Sequence, residues 1–258
     1  MSEPTLSPVL DAFRLDGKVA VVTGGTRGLG RAIGAKLAAS GCHVYLTYRH
    51  DGAAARSCAA DLAGAKGVAV PVRADVTDPA AMAALLAHVR SQHGRLDVFV
   101  HNAASRHPMP AVGADPQAAL ADVSVAVAPL LRHAPALAEL MAGGGRVVAV
   151  SSTGARRVVP AYVGQGLAKA ALESAVRYLA VELAGHGIAV NAVATTKLDK
   201  GPDMPDRAML APIAARTPAG RATTPDDVAA AVALLCTDEA GWIHGQVLTV
   251  DGGLSLRA

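Results

Sequence analysis

The chain has 258 residues, of which 52% are hydrophobic, 17% charged and 3% aromatic, and its net charge is +3 with nine neutral histidines. That length fits one large α/β domain or two small ones with a sizeable core, and the hydrophobic fraction excludes intrinsic disorder. The weak charge is scattered, with no basic block, which argues against a nucleic-acid footprint.

The first 18 residues carry acids and prolines without an apolar run, so they do not read as a signal peptide. No stretch reads as the roughly 18 apolar residues that span a bilayer. The three cysteines (Cys42, Cys58, Cys236) are far apart and make neither a C-x-x-C pair nor a zinc spacing. They read as free thiols of a reducing compartment, so the expectation is a cytoplasmic protein with no membrane partner and no metal.

In chain order, KVAVVTG (18–24) is short, β-rich and apolar, as a buried parallel strand should be. Glycines follow, then helical spacing over 31–40. A second strand is expected over 42–48, a helix over about 52–63, a third strand over 67–75 and a helix over 79–93 that starts at Pro79. RLDVFVHNAA (95–104) reads as the fourth strand, and 116–141 as one long helix or two. Strand five (145–152), a long helix (161–184), strand six (188–193), a helix from Pro225 to Cys236 with TTPDD as its capping start, and strand seven (246–250) complete the chain. Strands alternating with helices predict an α/β fold, a parallel sheet of about seven strands with helices on both faces. The irregular stretch 195–224 contains four prolines and is long for a connection, as lids and binding loops are.

Gly24, Thr26, Arg27, Gly28, Leu29 and Gly30 lie between strand one and a helix. Glycines there let the backbone turn tightly and approach a pyrophosphate, and the helix N-terminus offers free N–H groups to phosphate. The strand–turn–helix setting makes this a nucleotide-binding turn. Strand two ends Thr47-Tyr48-Arg49, without the acid that usually holds the ribose hydroxyls of NAD. Arg27 and Arg49 instead suit a 2′-phosphate, which points to NADPH. Asp75 is placed to accept from an adenine amino group, and Asn102 and Ala103 to line the adenosine.

With these residues in place the chain resembles the short-chain dehydrogenase/reductase family. The resemblance rests on the glycine turn, Asp75-Val76, Asn102-Ala103 and the closing Val250-Asp251-Gly252-Gly253, and covers about residues 15–256. It implies a single doubly wound, Rossmann-type NAD(P)-binding domain over 1–258 and a homotetramer.

The family's usual catalytic pair is Tyr-x-x-x-Lys. Here the residue four before Lys169 is Gln165, and Tyr162 lies seven before it. This Tyr-x6-Lys spacing is similar to that of the divergent branch containing bacterial enoyl-acyl-carrier-protein reductases. Residues 166–173, 177–183, 95–100 and 217–221 are similar to the type III form of those enzymes. On a regular helix a separation of four gives roughly 40° and 6 Å, and one of seven roughly −20° and 10.5 Å. The longer spacing leaves room for the C=C between a carbonyl and the carbon that takes hydride.

The resemblance implies reduction of a trans-2-enoyl thioester, on acyl carrier protein or coenzyme A, by hydride transfer from NADPH to C3. Tyr162 would hold the thioester oxygen as it becomes an enolate. Lys169 would hold the nicotinamide ribose. Ser152 stands near the family's catalytic serine and is equally readable as a capping hydroxyl. Two rival readings are a carbonyl reductase of the same fold and a nucleotide-binding protein without turnover.

The sequence departs from the family in three places. His101 replaces an asparagine and reads as a packed strand-end residue. Ser124 takes the place of the helix asparagine of the proton relay. Residues 194–199 replace the usual Pro-Gly, with the Leu198 backbone left to meet the carboxamide. Lys197 and Lys200 read as surface lysines or pyrophosphate contacts. Met204, Met209, Leu210 and Ile213 read as an acyl cover or as one helix's core face.

Overall fold

The computed structural model describes residues 15–202, 204 and 207–257, so most of the N-terminal segment lies outside the described residues. Seven strands form one sheet: β1 Val19–Val22, β2 His43–Tyr48, β3 Val68–Arg73, β4 Val98–His101, β5 Gly145–Ser152, β6 Ile188–Thr195 and β7 Val247–Val250. Their order is β3-β2-β1-β4-β5-β6-β7, and every pairing is parallel. The doubly wound α/β expectation therefore holds.

The helices are α1 Gly28–Ala39, α2 Gly52–Asp61, α3 Pro79–His93, α4 Pro116–Leu140, α5 Val163–Ala184, α6 Leu210–Arg216 and α7 Pro225–Leu235. Successive strand residues point to opposite faces. Val19 and Val21 pack with Leu86, Leu130 and Leu172 from α3, α4 and α5. Ala20 and Val22 pack with Ile33, Leu37 and Val232 from α1 and α7. The central strands β1, β4 and β6 are buried throughout, whereas β3 and β7 are partly exposed edges.

Three expectations need correcting, and one open alternative is decided. α1 begins at Gly28, so two turn glycines already belong to the helix. The stretch 116–141 is one helix of 25 residues, carried through Pro129 and Pro135. By length and composition alone α4 is also apolar enough to cross a membrane. Its Leu130 and Leu137 are buried in the same core cluster as α3 and α5 side chains. Finally, α5 starts at Val163, so Tyr162 is the flanking residue, with φ −127° and ψ 14°.

Three helix starts follow from local chemistry: Asp51, Asp78 and Asp115 each accept main-chain N–H groups of the first turn. Thr224 and Asp227 form a reciprocal capping box at α7. The order in which strands are added reverses at the β1/β4 boundary, which opens a crevice at the carboxyl ends of those strands.

Candidate active site

A cleft of about 550 Å³ occupies that crevice. The turn residues Gly24, Thr26, Arg27, Gly28, Leu29 and Gly30 line it, with Arg49 after β2, Asp75 and Val76 after β3, and Asn102 and Ala103 after β4. The fold thus brings together every nucleotide residue read from the sequence except Lys169 and Leu198. Leu198 is buried in the core beside α7, and Lys200 from the same loop lines the cleft.

The cradle has the shape a diphosphate needs. Gly24 and Gly28 have φ of +62° and +51°, where a side chain is strained. A Cβ on Gly30 would lie 2.1 Å from the Gly24 carbonyl oxygen. Thr47 Oγ1 accepts the Gly24 N–H at 3.1 Å, and Asn102 Nδ2 donates to the carbonyls of Thr23 and Gly24 at 3.0 and 3.1 Å. Asn102 is therefore a brace of the turn as well as a wall of the cleft. No side chain caps the N-terminus of α1, so its first N–H groups keep their capacity for an anion. These features fit a nicotinamide dinucleotide, with its phosphates on the glycine turn. At the adenosine end, Arg49 Nε stands 3.9 Å from Asp75, whose other oxygen accepts from Thr77.

β5 and α5 position the second part of the site. Lys169 is 6% exposed and its Nζ donates to the Val150 carbonyl at 2.8 Å. Burial lowers this amine to about 8, against the opposing pull of Asp122. Tyr162 is half-buried, and its placement does not come from helix periodicity. Its ring lies on Gly154, where a Cβ would meet Cε1 at 2.6 Å. Its backbone pairs with Met109, whose N–H donates to the Ala161 carbonyl at 3.3 Å. Ala161 has φ +53°, the one positive value outside glycine among the described residues. Ser152 Oγ accepts the Gly154 N–H at 3.1 Å, so it does cap a turn, and it stands beside the same glycine as the phenol.

His101 is a packed residue, as expected. Its Nε2 bonds the Ala126 carbonyl at 3.0 Å, which leaves Nδ1 to accept from the Thr23 hydroxyl at 3.3 Å. Burial, with Lys169 adding to it, lowers the imidazole to about 4. Thr23 Oγ1 in turn accepts the N–H groups of Asn102 and Ala103, each at 3.0 Å.

Sequence reasoning missed Asp122, Ser105, His107 and Gln165. Asp122 is buried on α4 and accepts from Ser105 Oγ at 2.6 Å, His107 Nδ1 at 2.9 Å and the His107 N–H at 3.2 Å. Gln165 is buried and its Nε2 donates to the Ser105 carbonyl. Ser124 is exposed. The available signal was an acid inside the apolar stripe of α4. In the 195–224 stretch, a short turn Arg207–Met209 leads into α6, with Leu210 buried and Met209 exposed.

Among the described residues no group of three or more His, Cys, Asp or Glu has metal-binding geometry.

The chain matches the family described as "Enoyl-(Acyl carrier protein) reductase" over residues 24–255. It is 37% identical to the 1-cyclohexenylcarbonyl-CoA reductase of Streptomyces collinus, over 93% of this chain and 88% of that protein. It is 33% identical to the 3-oxoacyl-[acyl-carrier-protein] reductase of Salmonella typhimurium, over 93% of this chain and 98% of that one. A solved short-chain dehydrogenase/reductase variant of Serratia marcescens superposes with a TM-score of 0.85 at 31% identity, over 93% and 99% of the two chains. Together with the doubly wound sheet and the glycine cradle, these likenesses make the chain a member of the short-chain dehydrogenase/reductase family, an oxidoreductase similar to its enoyl-acyl-carrier-protein reductase group.

Proposed function

We propose that this protein is an NADPH-dependent reductase of the C=C in a trans-2-enoyl thioester. The observation that carries the reading is the pair formed by Tyr162 and Lys169, with Gln165 at the position four before the lysine. An amide there has no acidic O–H to give a ketone oxygen, and the phenol sits one helix start further back. The 37% identical coenzyme A reductase supports the same reading.

Bound in the cleft, the nicotinamide supplies hydride. Gly24–Gly30 and the uncapped start of α1 would hold its phosphates, and Arg27 and Arg49, which line the same cleft, would take the 2′-phosphate. The Tyr162 hydroxyl donates to the thioester oxygen and stabilises the enolate charge as it develops. Lys169 brings a buried positive charge to the same place and holds the ribose hydroxyls. Ser152 adds a second hydroxyl toward the carbonyl. The proton for C2 comes from Tyr162 or from solvent. The segment around Leu210 covers the acyl chain. Exposed Leu120, Leu131, Leu167, Tyr178 and Val181 on α4 and α5 support assembly into a homotetramer.

The 33% identical 3-oxoacyl reductase favours a second reading, carbonyl reduction at the same site. Purified protein with NADPH is mixed with crotonyl and acetoacetyl thioesters of coenzyme A, and loss of reduced nicotinamide absorbance is followed. Turnover of crotonyl is expected. Turnover of acetoacetyl alone would overturn the reading.

A further inference from the structure

Among the described residues the buried charges are few, and one of them is a cation. Lys169 is the one Lys or Arg buried among the described residues, and its direct partner is a neutral carbonyl, that of Val150. A buried ammonium needs a nearby counter-charge. Three buried carboxylates are present among the described residues: Glu173, Asp251 and Asp122. Glu173 is committed to Arg156 at 2.9 Å and Ser151 at 2.8 Å. Asp251 accepts the N–H groups of Gly253 and Ser255 at 3.0 and 2.8 Å, away at the C-terminal turn. Asp122 is left, and it acts electrostatically on Lys169.

Asp122 is also the hub of a strap. Its carboxylate draws in Ser105 and His107 from the segment after β4, and Gln165 from the first turns of α5. A Cβ on Gly164 would stand 2.8 Å from Asp122 Oδ2, so that glycine makes room for the carboxylate. Two bonds then tie the strap to α5: Gln165 to the Ser105 carbonyl, and Met109 N–H to the Ala161 carbonyl just before Tyr162. The donors hold the Asp122 carboxyl below the usual range against the opposing effect of burial, so it stays ionised at neutral pH.

We propose that Asp122 is a positioning residue of this active site: its carboxylate clamps the 105–109 strap against the start of α5, where Tyr162 stands, and is the counter-ion of the Lys169 ammonium. This rests on the reductase reading for the roles of Tyr162 and Lys169, though the charge pairing itself does not. Gln165, which replaces a phenol in the ketone-reducing pattern, serves here as a donor to the strap. The other titratable groups around Lys169 do not replace Asp122. His101 from β4 is neutral and bonded, and Glu173, one turn along α5, is held by Arg156.

The test reads the ionisation of Lys169 without turnover. The chain has six lysines, so carbon-13-labelled lysine gives few resonances, and that of Lys169 is the one lost in Lys169→Met. In the wild type it should titrate near 8. In Asp122→Asn it should titrate lower by about one to three pH units, the size of a nearby charge's effect. The alkaline limb of kcat should move with it. Should Asp122→Asn fail to fold, Asp122→Ser is expected to give the same downward shift. Gln165→Leu keeps the charge and loosens the strap, so the lysine should titrate as in the wild type while KM for the enoyl thioester rises at least several-fold. An unmoved Lys169 titration in the Asp122 variants overturns the counter-ion role. An unmoved KM in Gln165→Leu overturns the clamp. A shifted titration in a protein that reduces no enoyl thioester leaves the pairing standing and removes the reductase reading instead.

Discussion

Lys169 donates to the main-chain carbonyl of Val150 across 2.8 Å, which holds the ammonium at the end of β5, out of solvent. Water no longer stabilises the charge there, so burial brings the amine from 10.5 to about 8. The unfolded chain keeps the lysine protonated up to its ordinary value. Between roughly pH 8 and 10.5 the unfolded state therefore binds more protons, and this group's contribution to stability rises with pH. At about 1.36 kcal/mol per unit, the span is on the order of 3 kcal/mol. Lys169→Met should flatten that limb in chemical denaturation from pH 8 to 10; an unchanged slope would count against the assignment.

His101 provides the acid-side counterpart. Its imidazole is buried and neutral, lowered from 6.5 to about 4. As pH falls through that window the unfolded chain takes up a proton that the folded protein refuses, so stability is lost. The loss is on the order of 3 kcal/mol for this residue. His101→Leu should weaken the decline in melting temperature between pH 6.5 and 4, at some cost from the stranded Thr23 hydroxyl.

Tyr162→Phe keeps the ring on Gly154 and removes only the hydroxyl. A positioned proton donor contributes about 10² to 10⁴ in rate. Enoyl-thioester reduction should fall by that range in steady-state assays, with the melting temperature close to the wild type. Wild-type turnover in this variant would remove Tyr162 from the chemistry.

Gly30→Ala places a methyl 2.1 Å from the Gly24 carbonyl and 2.6 Å from Asn102 Nδ2, inside the cradle. Overpacking of this kind costs about 1–3 kcal/mol. The larger expected effect is on the nucleotide: the thermal stabilisation expected from added NADPH in the wild type should be lost, read by differential scanning fluorimetry with and without it.

Arg27 and Arg49 both line the cleft, and the Arg49 side chain is 61% exposed beside Asp75. Hydrogen bonds to a charged group contribute about 1.5–3 kcal/mol. Replacing both with alanine should raise the KM for NADPH by roughly tenfold or more. The KM for NADH should change little; equal effects on the two would overturn the cofactor assignment.

Much of this protein was legible in its sequence because the responsible forces are local. Alternating β-rich runs and helical stripes dictate strands and helices, and Asp, Thr and Pro at helix starts mark their ends. Glycines between a strand and a helix announce a turn that no side chain tolerates, and the fold brings Gly24, Gly28, Gly30, Asp75 and Asn102 into one cleft. The tertiary structure alone decided what surrounds Tyr162 and Lys169. Ser105 reaches Asp122 across 17 residues and Gln165 reaches Ser105 across 60, distances over which sequence periodicity carries no information. Tyr162 likewise stands outside α5, held by Met109 from another loop and by the missing side chain of Gly154. Local chemistry selects the elements; only packing sets which polar groups must share the dry space between them.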